Sequence, residues 1–252
     1  MGLKFAVVNA PRAQPATSTV PAYETFINTI IAIAGAKLWS AQIADWTGYN
    51  DGEMVATWPD RSGNSRDWTA SGTPALGVSS GPNSRAAVVF DTIGDRYTVP
   101  SMLALSEAEM VVVLATAADP QAIAARTYLG KLGSAVGVSH YPYIDNNVYS
   151  DFGTDTQKTL GNPTPNLTTW HVFNQRSAAS NFSAEINKTA FTYSTGTNTP
   201  GFSATPMIFG RDAANSWFGN GALVLMFSTL LTAGERTQIL DAIAVYYGIT
   251  YP

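Results

Sequence analysis

The sequence predicts an all-β sandwich of two antiparallel sheets, with an N-terminal arm and helix and a C-terminal helix. Short apolar runs separated by turn residues recur from Leu38 to Phe227, which is typical of strands in a sandwich. The sustained alternation of strands and helices that marks a parallel sheet is missing. One well-delimited helix follows the last apolar run. We therefore divide the chain into an arm and helix over residues 1–36 and a sandwich domain over residues 37–252.

The N-terminal arm covers residues 1–22 and holds an apolar, strand-like stretch at residues 3–8. Three prolines among small residues follow, a composition that favours extended backbone without a core. The strand-like stretch has two interpretations. It adds to the edge of a neighbouring sheet, or it lies on its own domain as termini commonly do.

A helix is predicted over residues 23–36, since apolar side chains recur there at helical spacing. Gly35 is placed to end this helix. The apolar face packs on the main domain in one interpretation and anchors a partner in the other. Its residues are Tyr23, Phe26, Ile27, Ile30, Ile31 and Ala34.

The strands of the sandwich are predicted wherever four to eight apolar residues stand between turn signals. Residues 110–115 are apolar at every position, which places that strand in the centre of a sheet. The predicted strands are 86–90, 110–115, 127–132, 136–139, 170–175, 183–187, 206–209 and 222–227.

The C-terminal helix has the clearest local signals in the chain. Thr232 and Glu235 have the spacing of a capping box, and Gly248 is placed to end the helix in the left-handed conformation. The apolar residues between them fall on one face. They are Ile239, Leu240, Ile243, Tyr246 and Tyr247.

Composition excludes several classes of function. The 252 residues include no cysteine, which rules out thiolate metal sites, a cysteine nucleophile and disulfides. The formal net charge of -4 and the lack of basic stripes argue against nucleic acid as a partner. No apolar run approaches the roughly 18 residues of a membrane-spanning helix, so no membrane is expected as a partner either.

Candidate catalytic groups are few. Glu107 and Glu109 are spaced two residues apart, but they precede an apolar strand, and we expect them to be solvated turn charges. His171 lies within a predicted strand and is interpreted as a structural residue. The nucleophile-elbow pattern Gly-x-Ser-x-Gly does not occur. We therefore predict no catalytic residues and a non-enzymatic protein.

A carbohydrate-binding site is predicted where tyrosines alternate with amides and carboxylates. Sugars need an aromatic face for C–H stacking and polar groups for their hydroxyls, and residues 140–151 offer both. A second aromatic group stands at residues 212–217. The other interpretation is that these tyrosines take part in ordinary cross-strand packing. The candidate sugar-binding residues are Tyr141, Tyr143, Asn146, Asn147, Tyr149 and Trp217.

Three ordered segments resemble the concanavalin A-like lectin/glucanase superfamily in its laminin-G-like branch. They are the stretch from Leu38-Trp39 through residues 58–64 (WPDRSGN), the pair at residues 170–172 and 185–187, and the final strand and helix ending at Tyr247-Gly248-Ile249. The resemblance implies a jelly-roll sandwich. Lys188 stands where the family often has glycine, so the turn there is expected to differ.

The resemblance also bears on cofactors. We expect none, although laminin-G-like modules often hold calcium, and a calcium site here is an implication of the family alone. The spacing is not that of an EF-hand. The oxygens could come from Asp145, Asp151, Asp155 and Asp212.

The functional expectation follows from the absence of an export signal and of cysteine, together with the arm and helix. We expect a non-enzymatic structural virion protein of a bacteriophage: a capsid decoration, head fibre or tail-associated protein. Residues 1–36 would dock on capsid or tail proteins, and the sandwich could bind a host-surface glycan; a homo-oligomer is compatible with this. The alternatives are a bacterial carbohydrate-binding module and a divergent glycan hydrolase, since this fold hosts several functions.

Overall fold

The computed structural model describes residues 22–44, 49–102, 105–124, 128–131, 138–195, 197–202, 207–210 and 217–252. Residues 1–21 of the predicted arm, and Asp212, lie outside this part of the chain. Among the described residues, neither helix has the length and apolar character needed to cross a membrane.

The described residues form two α-helices and sixteen strands. The helices are α1 (Ala22–Ala34) and α2 (Ala233–Tyr247). In chain order, the strands are β1 (Leu38–Ile43), β2 (Thr57–Trp58), β3 (Trp68–Ser71), β4 (Ala75–Gly77), β5 (Ala87–Phe90), β6 (Arg96–Val99), β7 (Ala108–Thr116), β8 (Tyr128–Lys131), β9 (Ser139–His140), β10 (Val148–Ser150), β11 (Lys158–Gly161), β12 (His171–Ala178), β13 (Asn181–Ile186), β14 (Thr189–Thr195), β15 (Met207–Phe209) and β16 (Gly219–Phe227).

These strands form two antiparallel sheets of eight strands each. The first sheet has the order β14-β13-β12-β7-β16-β5-β4, and β1 also pairs with β16. The second sheet has the order β11-β10-β9-β8-β15-β6-β3-β2. The prediction of an all-β sandwich with a helix near each end is confirmed.

The main core lies between the two sheets. Aromatic side chains dominate it: Trp58 and Trp68 are completely buried, with ring centroids 5.7 Å apart and edge to face. Such aromatic pairs contribute beyond the area they bury. Met110, Val112 and Leu114 of β7 point into this core from the first sheet.

A second core separates the first sheet from the two helices. Val111 and Val113, the alternate residues of β7, face this side, so β7 is apolar on both faces because both are covered. The predicted apolar face of α1 packs against α2, where the rings of Phe26 and Tyr246 stack with centroids 4.3 Å apart. Neither helix of the described part of the chain covers the outer face of the second sheet.

The capping box and the terminal glycine that the sequence predicts for α2 are both present in the structure. The Thr232 side chain accepts from the Glu235 backbone N–H, and the Glu235 carboxylate accepts from the Thr232 backbone N–H. Gly248 follows at φ 64°, a left-handed conformation that favours glycine.

The expectation that Glu109 is a solvated turn charge is wrong. Glu109 lies within β7 and is completely buried. Arg236 of α2 donates to both its oxygens, at 2.6 and 2.8 Å. Asn174 and the Leu231 backbone N–H donate to the same carboxylate. A buried carboxylate requires such partners, and here they join the first sheet to α2.

The WPDRSGN segment is a turn built around one carboxylate. Asp60 accepts from the backbone N–H groups of Ala41, Ser62 and Arg66 and from the Ser62 hydroxyl, at 2.8–3.0 Å. Asn64 adds a hydrogen bond to the Leu38 carbonyl oxygen. This turn therefore holds the start of β1.

The turn between β13 and β14 contains Asn187 and Lys188, with φ of 48° and 65°. Positive φ at both central residues is the mark of a two-residue hairpin turn of type I′. Lys188 therefore adopts the left-handed conformation that glycine would take more readily. Its ammonium group is paired with Asp241 and lies 4.9 Å from the Tyr251 ring centroid.

Candidate functional site

The candidate site is the turn that connects β9 to β10 near one edge of the second sheet. The two strands pair at His140 and Tyr149. The Tyr143 N–H donates to the Asn147 carbonyl oxygen at 2.8 Å, and the Asn146 N–H donates to the Tyr143 carbonyl oxygen at 3.1 Å. We call residues 143–149 the tyrosine loop; the two hydrogen bonds give it a fixed backbone.

Three aromatic rings cluster at the base of the tyrosine loop. The rings of Tyr143 and Tyr149 are perpendicular, with centroids 5.9 Å apart. The ring of His140 lies 4.6 Å from Tyr143 and 5.9 Å from Tyr149. Both tyrosines are half-buried, so each is supported by its neighbours while remaining accessible to a ligand.

Polar groups border these rings. The Asp145 carboxylate accepts from the Tyr149 hydroxyl at 2.7 Å and from the Asn147 backbone N–H at 2.9 Å. Asn146 and Asn147 are half-buried at the tip of the loop, where Asn146 has φ 69°. Aromatic surface and amide or carboxylate groups therefore lie side by side.

The charge of Asp145 is set by these contacts. Desolvation alone would raise its pKa, but the hydrogen bonds from Tyr149 and Asn147 outweigh it and hold the pKa below the usual value of 3.8. The same hydrogen bond is the main reason that the pKa of Tyr149 is raised. Asp145 is thus anionic and Tyr149 protonated at neutral pH.

Two predicted sugar-binding residues are in the core instead. Tyr141 and Trp217 are both completely buried. The Trp217 indole N–H donates to the Tyr141 carbonyl oxygen at 2.9 Å, and its ring packs 5.7 Å from that of Phe90. Neither ring presents a face to solvent, because both point between the sheets. The structure therefore keeps Tyr143, Asn146, Asn147 and Tyr149 together as a surface and removes Tyr141 and Trp217 from it.

His171 is a buried structural residue, as expected. Its Nδ1 lies 2.7 Å from the Thr169 carbonyl oxygen, so Nδ1 carries the proton and Nε2 accepts from the Tyr141 hydroxyl at 2.7 Å. Burial is the main cause that lowers the pKa of His171 to about 4. The imidazole is therefore neutral at neutral pH.

The carboxylates that the family resemblance offers as calcium ligands do not form one cluster among the described residues. Asp145 belongs to the tyrosine loop, Asp151 is buried against the Ser139 hydroxyl at 2.5 Å, and Asp155 is exposed. Asp212 lies outside the described residues. Within the described ranges, no group of three or more histidine or acidic side chains could hold a metal ion.

The candidate residues chosen from the sequence leave out His140 and Asp145, although both lie in the stretch 140–151 and both border the aromatic cluster of the tyrosine loop. Their signal is the hairpin itself: His140 directly precedes the tyrosine-rich segment, and Asp145 precedes the Asn146-Asn147 pair that turns the chain. Recognising one hairpin over residues 139–150 would have placed both beside the two tyrosines.

Comparison with known proteins places the fold among domains of glycan-acting proteins. No protein-family model matches the sequence, and no curated protein matches it significantly. Solved structures are similar. One is the Trypanosoma rangeli sialidase in complex with sialic acid, with a TM-score of 0.61 and 11% identity over 89% of this chain. The chain spans 38% of the length of that sialidase.

Two further similar structures are a domain of an arabinanase and an arabinofuranosidase. Domain 4 of a GH43 extracellular arabinanase from Geobacillus stearothermophilus, in complex with arabinotriose, has a TM-score of 0.55 and 13% identity. The match covers 77% of this chain and 99% of that domain. An arabinofuranosidase complexed with arabinofuranosyl-alpha-1,2-xylobiose has a TM-score of 0.61 and 11% identity, covering 86% of this chain and 64% of that one.

These comparisons correct the functional expectation. The prediction of a non-enzymatic structural virion protein is wrong, because the similar structures are glycoside hydrolases or a domain of one. They agree better with the alternatives, a carbohydrate-binding module or a divergent glycan hydrolase, than with a capsid or tail component. At 11–13% identity the likeness establishes the sandwich fold, and function has to be argued from the site.

Proposed function

We propose that the chain is a carbohydrate-binding sandwich domain of the concanavalin A-like type, acting within or beside a glycan-degrading protein. One observation carries the proposal. The tyrosine loop holds two half-buried tyrosine rings at right angles, next to a fixed carboxylate and two asparagines.

The chemistry of the loop suits a sugar. A pyranose or furanose ring has an apolar face of C–H groups that packs on an aromatic ring, and a rim of hydroxyls that needs donors and acceptors. The Asp145 carboxylate retains acceptor capacity beyond its two bonds, and the asparagine side chains supply both donors and acceptors. Because the backbone of the loop is already hydrogen-bonded, little ordering would oppose binding.

The comparisons support this proposal in one respect. The arabinanase domain that the chain covers almost completely was solved in complex with arabinotriose. A sandwich of this size thus serves as a separate domain in that enzyme. The ordered resemblance of three segments to the lectin/glucanase superfamily points in the same direction.

The experiment is a binding screen of the whole chain against immobilised neutral and anionic glycans. We expect a subset of neutral glycans to bind, and the Tyr143→Ala variant to lose that binding. Val245→Ala is the matched control, since Val245 is 83% exposed on α2, in the helical layer. A screen without any bound glycan, on protein shown to be folded, would overturn the proposal.

Glycan hydrolysis by the same chain is the second candidate, favoured because the three similar structures described above are glycoside hydrolases or a domain of one. It is tested on the same panel by following the release of reducing ends over time. Release that tracks protein concentration supports hydrolysis. Binding without release leaves the carbohydrate-binding proposal alone.

A further inference from the structure

A groove runs beside the tyrosine loop, where the open edges of the two sheets approach each other. The edge strand β11 of the second sheet contacts the edge strand β14 of the first. The groove between them is a shallow depression of about 80 Å³, partly open to solvent, so it can hold part of a sugar ring but cannot enclose a small ligand as a closed pocket of several hundred Å³ would. It is lined by Leu160, Asn162, Pro163, Thr164, Pro165, Ile186, Thr189, Ala190 and Phe191.

The groove adjoins the tyrosine loop at Asn162. Val148 of β10 pairs with Gly161 of β11, which brings the residue after Gly161 alongside the tip of the loop. The side-chain amide of Asn162 lies 3.3 Å from the Asn146 carbonyl oxygen and donates to it when its nitrogen is on that side. One residue therefore borders both the loop and the groove.

The groove, like the tyrosine loop, combines an apolar surface with uncharged polar side chains. Pro163, Pro165 and the half-buried ring of Phe191 form an apolar wall. The exposed side chains of Thr164 and Thr189 add hydroxyls at its rim. None of the nine lining residues carries a charge, so the groove offers no partner to a carboxylate, sulfate or phosphate.

We propose that this groove is a second sugar subsite, which binds the next neutral unit of a glycan whose first unit stacks on the tyrosine loop. This inference rests on the proposed function. It adds that the ligand is a neutral oligosaccharide rather than a single sugar or an acidic glycan. Affinity should then increase with chain length, because the second unit gains contacts without a second loss of overall motion.

The test is a calorimetric titration with neutral oligosaccharides of one to four units in the arabino, xylo and gluco series. The main variant is Ala190→Arg, which fills the groove from an exposed position on β14. The control is Val245→Arg, which adds the same charge on α2. We expect wild-type affinity to rise at least tenfold from one unit to three. Ala190→Arg should remove most of that rise, while Val245→Arg stays within twofold of wild type.

The possible failures are distinguishable. Equal affinities for one and three units in the wild type, or an Ala190→Arg variant that keeps the full rise, would overturn the second subsite and leave the tyrosine loop as a site. Absence of binding by any oligosaccharide would overturn both proposals. A Phe191→Ala variant provides a second measurement: its trisaccharide affinity should fall more than its monosaccharide affinity. Its thermal unfolding is recorded as well, because Phe191 also packs 6.0 Å from the Phe173 ring.

Discussion

The Arg236 guanidinium binds both carboxylate oxygens of Glu109, at 2.6 and 2.8 Å, across 127 residues of sequence. Glu109 is completely buried and the Arg236 side chain is 13% exposed. The pair therefore connects the middle of the first sheet to the first turns of α2. A guanidinium that donates to both oxygens of a carboxylate fixes the relative orientation of the two side chains and also pairs their charges.

Removing the Glu109 carboxylate should strongly destabilise the folded protein. The Glu109→Ala variant leaves a largely buried guanidinium unpaired, so we expect a loss of about 3–5 kcal/mol in the free energy of unfolding, measured in urea. The Asp241→Ala variant is the control, because its pair with Lys188 is largely exposed. That change should cost less than about 1 kcal/mol. Similar losses in both variants would contradict the structural role of Glu109.

Acid should destabilise the protein through His171. Unfolded histidine has a pKa of 6.5, whereas burial lowers that of folded His171 to about 4. As the pH falls, His171 therefore takes up a proton in the unfolded chain before it does so in the folded protein. The contribution of the neutral, buried His171 to the free energy of unfolding is complete above pH 6.5 and is lost as the pH falls toward 4. The 2.5-unit difference corresponds to about 3 kcal/mol. We expect this difference in pH dependence between wild type and His171→Asn, measured by urea unfolding from pH 7.5 to 4. Parallel curves for the two proteins would show that His171 does not titrate in this way.

The turn around Asp60 should depend on its carboxylate. Asp60→Ala leaves three backbone N–H groups and a hydroxyl without their acceptor, and we expect a loss of about 2–4 kcal/mol in the free energy of unfolding. Asp67→Ala is the control in the same turn, since Asp67 is exposed and accepts from the Asp60 N–H. That variant should lose less than about 1 kcal/mol. If Asp60→Ala lost no more free energy of unfolding than Asp67→Ala, the turn would not depend on the Asp60 carboxylate.

The charge of the tyrosine loop should select against acidic sugars. Asp145 is ionised at neutral pH, and no lysine or arginine occurs between Val138 and Phe152. An anionic glycan would meet a like charge on the loop, which lowers its affinity. We expect wild type to bind a neutral oligosaccharide better than a sialylated one, and Asp145→Asn to narrow the difference at low salt. Preferential binding of sialylated glycans by wild type would contradict this.

The fold was largely predictable because its signals are local. The cap and the final glycine of α2 lie within 17 residues, and the apolar face of α1 is read from spacing alone. Short strands were missed, among them the inner strand β6 and the edge strand β11. They alternate between buried and exposed residues over only four positions, which is too short for a periodic pattern to be distinguished.

The site was predictable only in part. Which aromatic residues face solvent depends on how the hairpin sits against the other sheet, and a sequence pattern does not contain that information. Tyr141 and Trp217 stand near polar residues in the sequence, as Tyr143 and Tyr149 do, yet they are buried. Glu109 was misjudged for the same reason, since its partner Arg236 is distant in sequence.

Binding of a glycan by the tyrosine loop is tested most directly by calorimetry. Wild type and Tyr149→Ala are each titrated with arabinotriose and with the neutral glycans retained in the screen. Loss of a half-buried aromatic anchor at the centre of a site typically costs at least about 1.4 kcal/mol, or about tenfold in Kd. We predict such a loss for Tyr149→Ala with its thermal unfolding close to that of wild type. An unchanged Kd in this variant would contradict the assignment of the site.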